Sequence, residues 1–151
     1  MKASASIEIN SSKEEVWQMV TDYLHWQEYV SAIQKVEILE KPTEGFSGLK
    51  WKETRMMFGK EAVETMWVTE SEVNSYYRTR AESHGSIYLS LVKIEEKGEG
   101  CILTQGFEGV PQTFLGKLMM GVMGGMMKKS TEKALYADLV DMKNYIEKNN
   151  K

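Results

Sequence analysis

Glu53 and Arg55 are the residues of this sequence whose types and spacing most suggest chemistry. They lie in "WKETRMM", whose aromatic and methionine content is typical of a β-strand. Strand alternation places four of its side chains on one face: Trp51, Glu53, Arg55 and Met57. There the acid and the guanidinium can orient a ligand carboxylate or carbonyl, or act as an acid–base element if burial shifts the carboxyl pKa. They can equally stabilise one edge of the sheet or face solvent, so both are weak catalytic candidates.

Other reactive side chains are scarce. The chain has one cysteine, Cys101, and two histidines, His25 and His84. This set is too small for a zinc cluster of the usual spacing. It also offers no Ser–His–Asp or Cys–His arrangement. We therefore predict no metal and no cofactor, and we assign no catalytic residue beyond the two weak candidates.

The composition is that of a globular protein of one domain. The chain has 151 residues, of which 42% are hydrophobic and 27% charged, and a domain of this size can bury a substantial core. The net charge of −3 argues against binding to nucleic acid. A single cysteine cannot form an internal disulfide, and no apolar leader follows Lys2. We therefore expect one domain, 1–151, located in the cytoplasm.

The first part of the chain predicts one strand and two short helices. Residues 3–10 alternate small or apolar with polar side chains and indicate a strand. The next segment, "SSKEEVWQMV", begins with a capping box, either Ser11 with Glu14 or Ser12 with Glu15, and predicts a helix. The segment "YLHWQEYV" is a second short helical or irregular piece.

The rest of the chain predicts six strands and one long helix. From Ile33 to about Val110, glycines and an Asn-Ser pair separate strand-like segments, which indicates antiparallel strands joined mostly by hairpins. Beyond Pro111 the period changes to that of a helix. Its apolar stripe is Leu135, Leu139, Met142 and Ile146. Four charged residues are expected to face water: Asp138, Asp141, Lys143 and Glu147.

A curved antiparallel sheet crossed by one long helix should leave a cavity between them. On the strand "SYYRTRAES", residues 75–83, we expect Tyr77, Thr79 and Ala81 to face inward. On the strand around Trp67 we favour the face of Trp67, although Met66 and Val68 could replace it. The large side chains predicted to line the cavity from the sheet and the short helix are Trp26, Trp51, Met57, Trp67, Tyr77 and Phe107.

The segment "LGKLMMGVMGGMMKKS", residues 115–130, holds five of the eleven methionines and four of the twelve glycines. It is interrupted by Lys117 and is shorter than the roughly 20 apolar residues that cross a bilayer. We expect it to form either the N-terminal part of the long helix or the loop into that helix, and to cover the open end of the cavity, where methionines can repack around different ligands. Alternatively, methionine and glycine only allow the helix to pack closely on the sheet. The predicted ligand contacts are Phe114, Leu118, Met119, Val122, Met123 and Met126.

Four segments carry a resemblance to a known family: "SIEINSSKEEVWQMVTD", "GLKWKETRMMFGKEAVETMWVTE", "GEGCILTQGFEG" and "DLVDMKNYIE". Together they resemble the START-like or Bet v 1-like (SRPBCC) superfamily, in particular its polyketide cyclase/dehydrase and lipid-transport branch. The resemblance implies an α+β helix-grip fold. In that fold a curved seven-stranded antiparallel sheet wraps around a long C-terminal helix, with two short helices after strand 1. It does not imply an activity, because this family contains both carriers and enzymes.

These observations predict a protein that binds or transports a small hydrophobic or lipid-like ligand in an internal cavity. One alternative is a polyketide cyclase/dehydratase-like enzyme acting on a hydrophobic substrate. Another is a module that binds a partner or a membrane surface through the methionine-rich segment. The expected partner is a small hydrophobic ligand, with no nucleic acid and no stable membrane insertion. The chain is expected to be a monomer or a homodimer.

Overall fold

Ten helices and strands follow one another in the order expected from the sequence. The computed structural model describes residues 1–83 and 85–149, so His84 lies outside the described residues. The elements are β1 (Lys2–Ile9), α1 (Lys13–Val20), α2 (Trp26–Tyr29), β2 (Ile33–Glu40), β3 (Lys50–Met57), β4 (Lys60–Glu72), β5 (Tyr76–Ser83), β6 (Ser86–Lys97), β7 (Gly100–Pro111) and α3 (Phe114–Asn149).

The seven strands form one antiparallel sheet in the order β1-β7-β6-β5-β4-β3-β2. Hairpins join consecutive strands from β2 to β7, and β1 completes the sheet beside β7. The turn between β3 and β4 has positive φ at Phe58 (52°) and Gly59 (77°), the geometry of the tight hairpin turns that suit strand twist. The predicted helix-grip architecture is confirmed.

The start of α1 follows from local hydrogen bonding. Ser12 is the N-cap residue, and its side-chain oxygen accepts a hydrogen bond from the backbone N–H of Glu15 at 3.2 Å. The Glu15 carboxylate accepts a second bond from the Ser11 hydroxyl at 2.7 Å. Of the two capping pairs that the sequence allowed, Ser12 with Glu15 is therefore the one that forms. The cap fixes α1 so that Val16 and Val20 are buried in the core.

The core fills the end of the concave sheet face that lies near α1 and α2. Its aromatic residues contact one another mostly edge to face, and the ring centroids of Trp26 and Trp51 are 5.0 Å apart. Six rings form this aromatic cluster: Trp17, Tyr23, Trp26, Phe46, Trp51 and Tyr77. The predicted inward residues of β5, Tyr77, Thr79 and Ala81, are all buried.

The predicted inward orientation of Trp67 is wrong. Val68 is buried and Met66 packs against the core, so the Met66 face of β4 is the inner one. Trp67 lies half-buried on the outer face, opposite Lys50 and Arg80 on the neighbouring strands. Long basic side chains have aliphatic stems that can cover an indole, which explains how a large aromatic residue is accommodated on that face.

Helix α3 runs along β1, which is an edge strand of the sheet. Side chains of α3 bind the backbone groups that β1 does not use in pairing with β7. The Glu147 carboxylate accepts from the N–H of Asn10 at 3.0 Å, and the Lys143 ammonium donates to the carbonyl of Glu8 at 2.7 Å. The Glu132 carboxylate accepts from the N–H of Ser4. These bonds set the direction of α3 relative to the sheet.

The two halves of α3 present apolar residues on opposite sides. At about 100° per residue, the buried Leu139, Met142 and Ile146 define the core side of the helix. Lys117 and Gly124 fall on that side in the N-terminal half. Apart from Met120, the apolar side chains of the N-terminal half are exposed, and most of them fall on the opposite side, with Phe114 and Met127 at its flanks. We call them the outer stripe: Phe114, Leu115, Leu118, Met119, Val122, Met123, Met126 and Met127. Within the described part of the chain, no helix is long and apolar enough to cross a membrane.

Candidate functional site

A buried ionic cluster joins the sheet to α3. Arg55 donates through Nε to Glu53 Oε2 at 3.0 Å and through Nη2 to Asp138 Oδ2 at 2.9 Å. Glu53 is 8% exposed and Asp138 is 5% exposed. The indole of Trp51 donates to the second oxygen of Glu53 at 3.3 Å. Glu53 and Arg55 therefore lie on the inner face, one of the placements that the sequence left open, and the arginine lies between two carboxylates.

Burial and pairing act in opposite directions on these charges. Burial by itself would lower the pKa of Arg55, but the carboxylates of Glu53 and Asp138 raise the pKa of the guanidinium, which stays charged. Burial raises the pKa of Asp138, and the charge of Arg55 only partly opposes this effect. A buried carboxyl with a raised pKa beside a fixed cation can hold or release a proton.

The expectation that Asp138 faces water is wrong. Asp138 follows Leu135 by three residues and precedes Met142 by four, so it lies on the apolar stripe of the helix rather than opposite it. Its side chain is buried because Arg55 reaches it from β3. The spacing was a usable signal, but the partner lies 83 residues away in the chain and could not be identified from the local pattern.

The other end of the concave face is lined by apolar side chains that are only partly buried. Tyr88 on β6 and Phe107 on β7 stack with ring centroids 5.7 Å apart and planes 23° apart. Neither ring belongs to the packed core. Met120 of α3 reaches this end, because its Cε lies 3.3 Å from the position that a Cβ would take on Gly109. We refer to the end marked by Tyr88, Phe107 and Met120 as the open end.

Gln105 supplies a polar atom on the same face. It precedes Phe107 by two residues on β7 and therefore shares its side of the sheet. Its Oε1 atom is buried and has no hydrogen-bond partner among the described residues. A buried unpaired carbonyl is unfavourable by about 1–3 kcal/mol, so a donor from a ligand would be stabilised there. Sequence reasoning missed Gln105, although the alternation from Phe107 would have placed it.

The residues predicted to line the cavity separate into distinct groups. Trp26, Trp51 and Tyr77 come together in the aromatic cluster, and all three are buried. Phe107 lies at the open end instead. Met57 is half-buried at the last position of β3. Trp67 is on the outer face, as described above.

The six candidates on α3 are part of the outer stripe and are exposed. Their exposed fractions run from 44% for Met123 to 83% for Phe114. In this structure they point away from the open end, and Met120 is the methionine of the segment that approaches the sheet. Of the two conformations expected for the segment, helix or loop, the structure has the helix. A contact between a ligand and Phe114, Leu118, Met119, Val122, Met123 or Met126 stays a prediction.

Two buried tyrosine hydroxyls lie at the opposite end of the concave face, near α1 and α2. Tyr29 donates to the carbonyl of Met19 at 2.6 Å, and Tyr77 to that of Val20 at 3.4 Å. Burial raises the pKa of both phenols above the ordinary value of 10, so both act as neutral donors. An open crevice of about 560 Å³ lies outside them, lined in part by Met19, Tyr29 and Tyr145.

Comparisons with known proteins agree on the fold. The profile of the family described as "Polyketide cyclase / dehydrase and lipid transport" matches residues 1–147. No curated protein sequence matches the chain significantly. A START superfamily protein from Mycobacterium smegmatis is similar in structure, with a TM-score of 0.81, 17% identity, and 97% of each chain covered.

Two further solved structures have the same architecture. A protein from Thermus thermophilus has a TM-score of 0.81 at 13% identity, with both chains fully covered. The aromatase/cyclase Zhui from Streptomyces sp. R1128 has a TM-score of 0.78 at 17% identity, covering 100% of this chain and 96% of that one. At such low identities these likenesses establish the fold alone.

Proposed function

Because the chain belongs to the polyketide cyclase/dehydrase and lipid transport family, we propose that it binds or transports a small hydrophobic or lipid-like molecule between the sheet and α3. The observation that carries this proposal is the stacked pair Tyr88 and Phe107 on the inner face, outside the packed core. Partly exposed aromatic rings in a concave setting are natural contacts for an apolar ligand. The ligand would therefore occupy the open end.

Two polar groups on the inner face of the sheet support an amphiphilic ligand. Gln105 Oε1 is a buried acceptor without a partner in the described part of the chain, so it favours a ligand that carries a hydroxyl or amide donor. Arg55 has a further amino group, Nη1, which makes no hydrogen bond to any described residue. That group can donate to a ligand carbonyl or carboxylate.

The expected affinity is moderate. Burying about 300 Å² of apolar ligand surface at about 25 cal/mol per Å² contributes roughly 7 kcal/mol before the entropic losses of association. This corresponds to micromolar binding or weaker. We also infer a cytoplasmic location, which the single free and buried Cys101 supports. The choice between monomer and homodimer stays a prediction.

Titration with an apolar fluorophore tests the proposal. The wild-type protein is compared with variants of two adjacent residues that lie on opposite faces of β6. Tyr88→Ser removes an inner ring, whereas Leu89→Ser removes an exposed outer side chain. We expect saturable binding to a single site, weakened about tenfold by Tyr88→Ser and unchanged by Leu89→Ser. Absence of saturable binding, or equal weakening by both variants, would contradict a ligand site at the open end.

Gln105→Leu tests the polar contact. The substitution removes an unpaired buried carbonyl, so the free energy of unfolding should rise by about 1 kcal/mol or more. Binding of a long-chain alcohol should weaken, while binding of a hydrocarbon of equal length should not. If Gln105→Leu changes the affinity for the alcohol and the affinity for the hydrocarbon by the same factor, Gln105 does not contact the ligand.

A second candidate function is an enzyme that cyclises or dehydrates a hydrophobic polyketide-like substrate. It is supported by Asp138, whose pKa is raised by burial next to the Arg55 guanidinium. Such a carboxyl could exchange a proton with a substrate carbonyl. Incubation with a poly-β-ketone thioester and analysis of products by mass spectrometry tests it. Turnover that survives Asp138→Asn would exclude Asp138 as the acid.

A further inference from the structure

The outer stripe of α3 is a continuous exposed apolar surface. Val122 is 78% exposed, Met126 74% and Phe114 83%. Single exposed apolar residues are ordinary on any protein, but a contiguous patch marks an interaction surface. The members recur every four residues in two adjacent rows, 114/118/122/126 and 115/119/123/127, which places them side by side along the helix.

The length of the stripe indicates that the helix would lie flat on a partner surface rather than cross a bilayer. Fourteen residues of α-helix extend about 20 Å, less than the roughly 30 Å hydrocarbon core of a bilayer. An apolar face of this kind can instead sink into the boundary between lipid headgroups and acyl chains. The side of the helix opposite the stripe carries Lys117, Gly121 and Lys128, all exposed.

The positive charge around the stripe indicates that the surface it binds is negatively charged. Residues 109–131 contain three lysines and no Asp or Glu, whereas the rest of the chain carries a net charge of −6. Lys128 and Lys129 close the stripe at one end and Lys117 lies near the other. This local positive charge attracts an anionic surface. A second copy of the chain would bring its own lysines against these, which is unfavourable.

We propose that the outer stripe docks on the surface of an anionic phospholipid bilayer, with Lys129, which lies beside the stripe, contacting a lipid phosphate and Lys117 and Lys128 adding to the local positive charge. This inference goes beyond the proposed function and does not depend on it, because docking requires no ligand at the open end.

Co-sedimentation of the full chain with lipid vesicles tests the proposal. Phosphatidylcholine vesicles with and without about one third phosphatidylglycerol separate a charge-dependent surface from a purely apolar one. We expect binding to the anionic vesicles and its weakening at high salt. Replacing Lys128 and Lys129 with Gln should weaken the affinity for anionic vesicles by about fivefold for each lysine.

Two valines provide a matched pair of variants. Val122 is 78% exposed on the stripe, and Val73 is 69% exposed in the turn between β4 and β5. Val122→Asp should weaken vesicle binding by about tenfold or more, and Val73→Asp should leave it unchanged. Circular dichroism would verify that both variants stay folded.

Three outcomes would overturn the proposal. One is absence of binding of the wild-type chain to anionic vesicles. Another is equal weakening by Val122→Asp and Val73→Asp. The third is a dimer, detected by analytical ultracentrifugation, that Val122→Asp dissociates while vesicles bind neither form. In that case the stripe would be the interface between two copies of the chain.

Discussion

Thr131 is the first buried residue of α3, and before it every residue except Gly116, Met120 and Gly124 is exposed. After it, Leu139, Met142 and Ile146 enter the core. The two halves are equally rich in hydrophobic residues, with nine each in 114–131 and 132–149, yet the C-terminal half is the one that packs. The difference lies in the phase of the pattern, because the outer stripe is turned to the side opposite the core. Apolar content alone therefore does not locate the packed part of a helix.

The largest expected effect comes from truncating the packed half. Leu139→Ala should lower the free energy of unfolding by about 2–5 kcal/mol, because it leaves a cavity at a fully buried position. Val122→Ala on the exposed half should change it by less than about 0.5 kcal/mol. Urea unfolding of both variants measures the contrast. Similar losses would mean that the N-terminal half is packed in solution.

Replacing Gly121, Gly124 and Gly125 with alanine should stabilise the exposed half. No atom lies within 4 Å of the Cβ that each substitution would add, so the alternative that these glycines allow close packing is not supported. Each alanine should then raise the free energy of unfolding by up to about 1 kcal/mol. Thermal unfolding provides the measurement.

Gly100→Ala is the matched control for the glycine series. Its added Cβ would lie 2.5 Å from the carbonyl oxygen of Ile9, so this variant should be less stable than wild type. A fall in melting temperature for the triple variant as well would indicate contacts with the N-terminal half that this structure does not contain.

The pH dependence of stability tests the ionic cluster that anchors the packed half. Burial raises the pKa of Asp138 above its ordinary value of 3.8 in the folded protein. Its contribution to stability is therefore complete below pH 3.8 and is lost as pH rises through the folded-state pKa. The free energy of unfolding of wild type minus that of Asp138→Asn should fall over this window. A rise would mean that Arg55 outweighs burial and lowers the pKa.

The smallest effect on stability is expected from oxidising exposed methionines. Hydrogen peroxide should convert Met126 and Met119 to sulfoxides well before Met142, which is 7% exposed. Because the first two make few contacts, the melting temperature should stay nearly constant during this phase. Peptide mapping by mass spectrometry follows each site. Equal rates for Met126 and Met142 would contradict the difference between the halves.

Sequence patterns were most informative for the parts of the site on strands whose two faces differ clearly in polarity. Alternation placed Glu53 and Arg55 on the same face of the strand as Trp51, and the burial of Trp51 in the structure shows that this face points inward. On β4 both faces carry apolar residues, so alternation alone could not choose between Trp67 and Met66. The choice depends on the register with β3 and β5, which local sequence does not specify.

The other features of the site could not be predicted because they depend on contacts between distant parts of the chain. The pairing of Asp138 with Arg55 depends on how α3 lies across the sheet. The outer stripe is exposed because the apolar residues of the N-terminal half of α3 lie on the other side of the helix from those of the C-terminal half. The order of helices and strands needed only local signals, namely the cap at Ser12, the glycine turns and the change of period after Pro111.

The bonds from α3 to β1 have a consequence for self-association. An edge strand normally offers free N–H and C=O groups that can template a strand from another molecule, which is a route to aggregation. The carbonyl of Glu8 in β1 and the N–H of Asn10, the residue directly after β1, are already bound by Lys143 and Glu147. The helix thus lies where an eighth strand would pair with β1. It binds the backbone through charged side chains rather than through a ladder of backbone hydrogen bonds. Intermolecular sheet extension at β1 would first require these ionic contacts to break.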